Sequence, residues 1–161
     1  MKLLHAAIAA GVAAVALVLA APANAATTYS VYLSDLWPSA TQDSLQGAAV
    51  SDLEKASISV ALGHDQGLTT IDGGSVTLKV MDKKVVVRQL SDAISAGTLT
   101  ATTDPGQLCL NQTYALAATL STTTGESAGS LSGTLTLFRT FLPGIGCWTF
   151  GGSLTGSLSL S

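Results

Sequence analysis

Apolar and polar residues alternate with a period of two through most of the chain after residue 74, and this confines it to β-sheet. Val76, Leu78 and Val80 alternate with Ser75, Thr77 and Lys79, the mark of a strand with one buried face. A helix would scatter those side chains around its circumference. After the polar break Asp82-Lys83-Lys84, the run Val85-Val86-Val87-Arg88-Gln89-Leu90 reads as the returning arm of a hairpin, although its turn lacks the usual Asn-Gly. Three consecutive valines there point to burial on both faces or to a bulge.

The same pattern recurs toward the C-terminus. Thr98 to Thr103 reads as a strand stopped by Asp104-Pro105-Gly106, and Leu108 to Leu110 and Tyr114 to Ser121 follow as strand. Leu131, Leu135 and Leu137 share a face, with Thr134 and Thr136 on the other. Leu142-Pro143-Gly144-Ile145-Gly146 is a turn, and Cys147–Phe150 and Ser153–Leu160 are expected as two final strands. Two segments share the pattern Leu-x-Gly-x-Leu-x-Leu, starting at Leu131 and at Leu154. Their inward glycines, Gly133 and Gly156, imply a bend, a bulge or a bulky ring packed against them, with Trp148 or Phe150 as the candidate ring.

The N-terminal third is less regular. Tyr29 to Leu36 is a strand with Tyr29, Val31 and Leu33 on one face, closed by Trp37-Pro38. Leu45, Ala49 and Leu53 form a stripe that predicts a short helix over Asp43 to Ala56, capped by Asp43 or Ser44. Ile58 to Leu62 is a strand, Gly63 to Gly74 a polar loop, and Ser91 to Gly97 a turn or a single helical turn.

Residues 1–25 read as a bacterial-type signal peptide. Met1-Lys2 opens it, Leu3 to Ala21 is uncharged, and Ala23-Asn24-Ala25 supplies small residues for cleavage. Residues 26–161 then form one domain that is secreted, periplasmic or at the cell surface, with no integral membrane span after cleavage. Ten acidic residues against seven basic ones, and no basic cluster, argue against nucleic acid as a partner. Between Pro105 and Ser161 only Glu126 and Arg139 are charged, so hydroxyls must supply the wet face of that region.

Cys109 and Cys147 are the only cysteines, and in an oxidising compartment they pair as a disulfide. On the chain-entropy model such a bridge contributes about 4 kcal/mol. No CxxC spacing supports a redox or metal role. His64 is the sole histidine after the leader, with Asp65 and Asp72 nearby, and a solvated loop is the expected setting for all three. No nucleophile elbow, carboxylate pair or metal motif is present, so no catalytic residue, cofactor or metal is assigned. Tyr32-Leu33-Ser34-Asp35-Leu36, with Trp37 behind, resembles the opening of secreted carbohydrate-associated modules of the NPCBM type; the resemblance stops at this segment.

The expectation is an all-β domain, an antiparallel β-sandwich or alternatively a small closed β-barrel, with one disulfide. Its expected role is a non-catalytic binding or interaction module for an extracellular ligand or envelope partner, glycan or protein. Tyr32, Trp37, His64, Asp65 and Asp72 are its candidate contacts. A self-assembling envelope protein and a small secreted enzyme or inhibitor are the alternatives.

Overall fold

The computed structural model describes residues 26–104 and 109–161; the expected leader lies outside them. Eight antiparallel strands follow one another: β1 (Thr27–Trp37), β2 (Gln42–Val50), β3 (Lys55–His64), β4 (Thr70–Asp82), β5 (Val85–Ala101), β6 (Gln112–Ser121), β7 (Ser127–Leu142) and β8 (Gly146–Leu160). Each pairs with the next, and β8 returns to β1 through a ladder from Thr27↔Leu160 to Leu33↔Leu154. Of the two architectures the sequence leaves open, the chain takes the closed barrel rather than the two-layer sandwich. A pure meander makes the first and last strands neighbours, and pairing them removes both sheet edges along that ladder.

Alternation sets inside and outside. Val31 and Leu33 of β1, Leu45 of β2, Ile58 and Leu62 of β3, and Leu131 and Leu135 of β7 are buried in the barrel. Ser57, Ser59, Ser130, Ser132 and Thr134 stand on the exposed face between them. Apolar side chains inside and hydroxyls outside invert the pattern of a membrane-spanning barrel. Burying each such Leu or Val stabilises the fold by roughly 1.5–3 kcal/mol before the entropy of ordering is subtracted.

Four local expectations are corrected. The predicted helix over Asp43 to Ala56 is strand β2 followed by a short loop. Leu45 and Ala49 lie four apart, a spacing that suits a helix stripe and a strand face equally. Gly47 decides between them: a Cβ there would sit 2.0 Å from the Tyr32 carbonyl oxygen, so β1 can approach only a glycine. Ser91 to Gly97 continues β5, with a bulge between Ile94 and Ala96 in place of a turn. The loop over 63–74 shrinks to Asp65–Thr69, because Gly63 and His64 end β3 and Thr70 starts β4. The last two expected strands are one, β8, whose break at Phe150 is a bulge described below.

Cys109 and Cys147 are bonded across 38 residues. Cys109 lies in a turn, so the bridge ties the β5–β6 loop to β8 rather than joining two strands. The β4–β5 hairpin turns through Lys83 and Lys84 at φ 46° and 72°, the backbone of a type I′ turn made by residues that adopt it reluctantly. Gly133 and Gly156 are register partners. Added Cβ atoms would lie 2.3 Å from the Thr155 oxygen and 2.0 Å from the Ser132 oxygen, so the close neighbour is backbone and not an aromatic ring.

Two hairpins overhang the barrel. At one end the β6 ladder stops at Gln112↔Leu137 and the β1 ladder at Leu33↔Leu154. Residues 138–142 and 146–151 therefore pair only with one another among the described residues, and Gly152 and Ser153 pair with Leu137 and Thr136 but not with β1. At the other end the β5–β6 ladder stops at Ala93↔Ser121, which leaves residues 85–92 paired with β4 alone.

Candidate functional site

The seam between β1 and β8 opens where two bulges face each other. In β1, Leu33 pairs with Gly47 and Asp35 with Gln46, so Ser34 is an extra residue. In β8, Gly151 pairs with Phe138 and Thr149 with Arg139, so Phe150 is the extra residue. A bulge bends its strand and re-aims the side chains beyond it. Tyr32 and Trp37 are five residues apart and would face opposite ways on a regular strand. The extra Ser34 turns both outward while Leu36 stays buried against the core. Trp148 and Gly152 would share a face of a regular strand; with Phe150 bulged, Gly152 is buried and Trp148 is exposed.

A groove of about 720 Å³ fills the opening, walled by Trp37 and Pro38 on one side and by Phe138 and Phe150 on the other. Ser34, Leu36, Gln46, Gly151 and Gly152 complete it, and no lining residue is charged. The Phe138 and Phe150 rings lie 6.2 Å apart at an interplanar angle of 34°. Trp37 is 72% exposed and Phe150 59%, far more than aromatic residues retained for the core. Trp148, Phe141 and Ile145 are also exposed on the β7–β8 hairpin.

The five residues expected from sequence do not come together in one site. Trp37 is in the groove; Tyr32 lies lower on the outer wall, in a shallow depression with Ser30 and Val50. His64 is a correction, since it is 4% exposed and points into the barrel mouth instead of standing in a solvated loop. Its Nδ1 lies 2.9 Å from the Asp65 carbonyl oxygen, which can only accept, so Nδ1 carries a proton. Its Nε2 lies 3.4 Å from Oδ2 of Asp43, itself 3% exposed, in a contact without hydrogen-bond geometry. Asp43 Oδ1 in turn accepts the Ser39 N–H at 3.2 Å, so this buried pair braces the β1–β2 loop behind Trp37.

Asp65 does not join His64 in a site. Its carboxylate accepts the N–H groups of Thr69 and Thr70, both at 2.7 Å, and of Gly67 at 3.1 Å, with the Thr69 hydroxyl as a fourth donor. The bonds from Thr70 and Thr69 hold its pKa well below the usual aspartate value of 3.8. Asp72 is exposed on β4, on the opposite face from His64. Among the described residues no group of three or more His, Cys, Asp or Glu is placed to hold a metal ion. A depressed carboxyl pKa favours the folded form above the unfolded value and loses that advantage as pH falls. Asp65→Ala should therefore speed amide exchange at Thr69 and Thr70 near neutral pH, and the gap from the parent should narrow below about pH 4. Equal exchange in the two proteins at neutral pH would show that the carboxylate does not order the loop.

Phe138 and Phe150 are not among the site residues expected from sequence, yet a signal for the groove exists. Inward residues run Tyr29, Val31, Leu33 and then Leu36, a step of three in a period-two strand, and such a slip marks an inserted residue. No family model, curated protein or solved structure matches the chain.

Proposed function

We propose that the chain is a secreted, non-catalytic binding module that holds its ligand in the groove at the β1–β8 seam. The observation that carries this reading is the pair of facing bulges, which turn aromatic side chains outward on both sides of an opened wall. Bulges are costly interruptions of a ladder and collect beside functional sites. Exposed aromatic rings around a concavity are the usual anchors of recognition. The leader-like residues 1–25 and the disulfide support export. An enzyme would have to work through His64, which is buried with Nδ1 bonded to backbone and Nε2 facing Asp43.

Trp37 and Trp148 are the only tryptophans, and Trp37 lines the groove, so a ligand there should change the intrinsic fluorescence. Titration with panels of neutral oligosaccharides and uncharged peptides should find a ligand that shifts this emission. Trp37→Ala should then weaken it by about 2 kcal/mol or more, the scale of an interface anchor. A ligand that binds the Trp37→Ala protein as tightly as the parent would place the site elsewhere.

One observation favours a second reading, self-assembly. Residues 85–92 present an unpaired strand edge, and Met81, Val85, Val86, Val87 and Leu90 around it are exposed. Such an edge pairs readily with another copy unless charge deters it. Sedimentation velocity should then show concentration-dependent association that Val86→Lys abolishes. Monomers at every concentration would remove the reading.

A further inference from the structure

We infer that the ligand of the groove is an uncharged, extended peptide segment of a partner protein, which adds to β8 as an antiparallel strand. The inference rests on the binding-module reading above and goes further by naming the ligand class. Three observations carry it. First, among the described residues β8 has no strand paired on its β1 side from 146 to 153, while residues 34–37 of β1 pair with β2 alone. The free edge offers main-chain N–H and C=O groups in the alternation that only another extended chain matches, and strand addition is a recurrent mode of peptide recognition. A peptide there would continue the path that β1 leaves at Ser34.

Second, the strip of β8 beside that edge is Gly151-Gly152, so β8 itself puts no side chain in the way of an incoming backbone. Gly152 could not be otherwise, since a Cβ would lie 2.4 Å from the Thr136 oxygen and 3.0 Å from Leu36 Cδ1. Trp37 and Phe150 flank this bare strip, placed to receive every second side chain of an added strand.

Third, the charge of the groove matches such a segment and not its rivals. No lining residue is charged and the chain carries a net charge of −3, so nothing there would hold an anionic glycan or a phosphate. A neutral sugar would bring many hydroxyls to a lining whose polar side chains are Ser34 and Gln46 alone. Each hydroxyl buried without a partner counts against binding, whereas the amides of a strand are met by the edge itself.

The test displays a random library of uncharged peptides to the full chain with its disulfide intact, beside an array of neutral oligosaccharides. Enriched peptides should protect backbone amides within 146–153 from exchange and should weaken on Trp37→Ala or Phe150→Ala. Methylating peptide amides one at a time should give a period-two profile. Losses of at least about tenfold are expected where the N–H faces β8, with little change at the positions between. Peptides that bind but tolerate methylation everywhere, or protect amides elsewhere, would overturn strand addition. Oligosaccharide binding that depends on Trp37, with no peptide enriched, would overturn it while leaving the binding module standing. If neither class binds, both readings fall.

Discussion

Gly156→Val is expected to cost the barrel more than about 4 kcal/mol, at the extreme of what single substitutions do. A side chain at Gly156 would place its Cβ 2.0 Å from the Ser132 oxygen, 2.6 Å from Gly133 Cα and 2.9 Å from the Ser132 carbonyl carbon. All three are backbone atoms of β7, so no rotamer change relieves the clash. β7 itself is held by β6 on its other side, through Thr119↔Ser130 to Gln112↔Leu137. The strain must therefore be absorbed by breaking ladder bonds or expelling Leu131 and Leu158, both fully buried beside the pair. Gly156→Ala should already be severe, whereas Thr155→Val, on the exposed face one residue away, should stay within about 0.5 kcal/mol of the parent. Denaturant unfolding of the three variants measures this ordering. A loss below about 1 kcal/mol for Gly156→Val would mean that β7 and β8 can separate freely, and the close approach would not be a closure device.

The glycines show how far the sequence speaks. Alternation identifies strands wherever one face is buried and the other wet, as at Val76-Leu78-Val80 and Leu131-Leu135-Leu137. It does not say whether the resulting sheet folds into two layers or closes on itself, because both bury one face. Closure is written instead in inward glycines such as Gly47, Gly133 and Gly156, where neighbouring backbones meet, and a glycine by itself is also compatible with a loop or a bend. The misassigned helix has the same origin. Gly47 counts against a helix by propensity, but only the position of Tyr32 shows why β2 requires it.

The site is half legible for a related reason. Trp37 stands beside Pro38 at the end of an apolar strand, so its exposure is readable locally. Phe138 and Phe150 reach it from the other end of the chain, through a pairing that depends on barrel closure. His64 was misplaced because its burial depends on Asp43, 21 positions earlier, lying on the neighbouring strand. Asp65 and Asp72, close to His64 in sequence, turn to other faces. Proximity in sequence is a poor guide on strands, where adjacent residues point apart.

Deleting Ser34 should weaken ligand binding by about tenfold or more and leave the fold intact. Leu33 already pairs with Gly47 and Asp35 with Gln46, so removal of the intervening residue leaves consecutive partners in an unbroken ladder. Leu36 would still face Leu45 inside and Trp37 would still lie opposite Ser44, with no inward position lost. The bend would go, and the straightened β1 would run on beside β8 where the groove now lies. Binding of any ligand selected by the parent should fall by about tenfold or more, as for Trp37→Ala, although every aromatic residue is retained. Ser34→Ala, which keeps the extra residue and removes only one lining hydroxyl, should weaken binding far less than the deletion. Unfolding curves and fluorescence titrations of the two variants separate the possibilities. Full binding by the deletion protein would mean that the divergence of β1 and β8 is not what makes the site. A deletion protein that fails to fold would instead make the bulge a requirement of barrel closure, because the pairing on both sides of it would then depend on the bend.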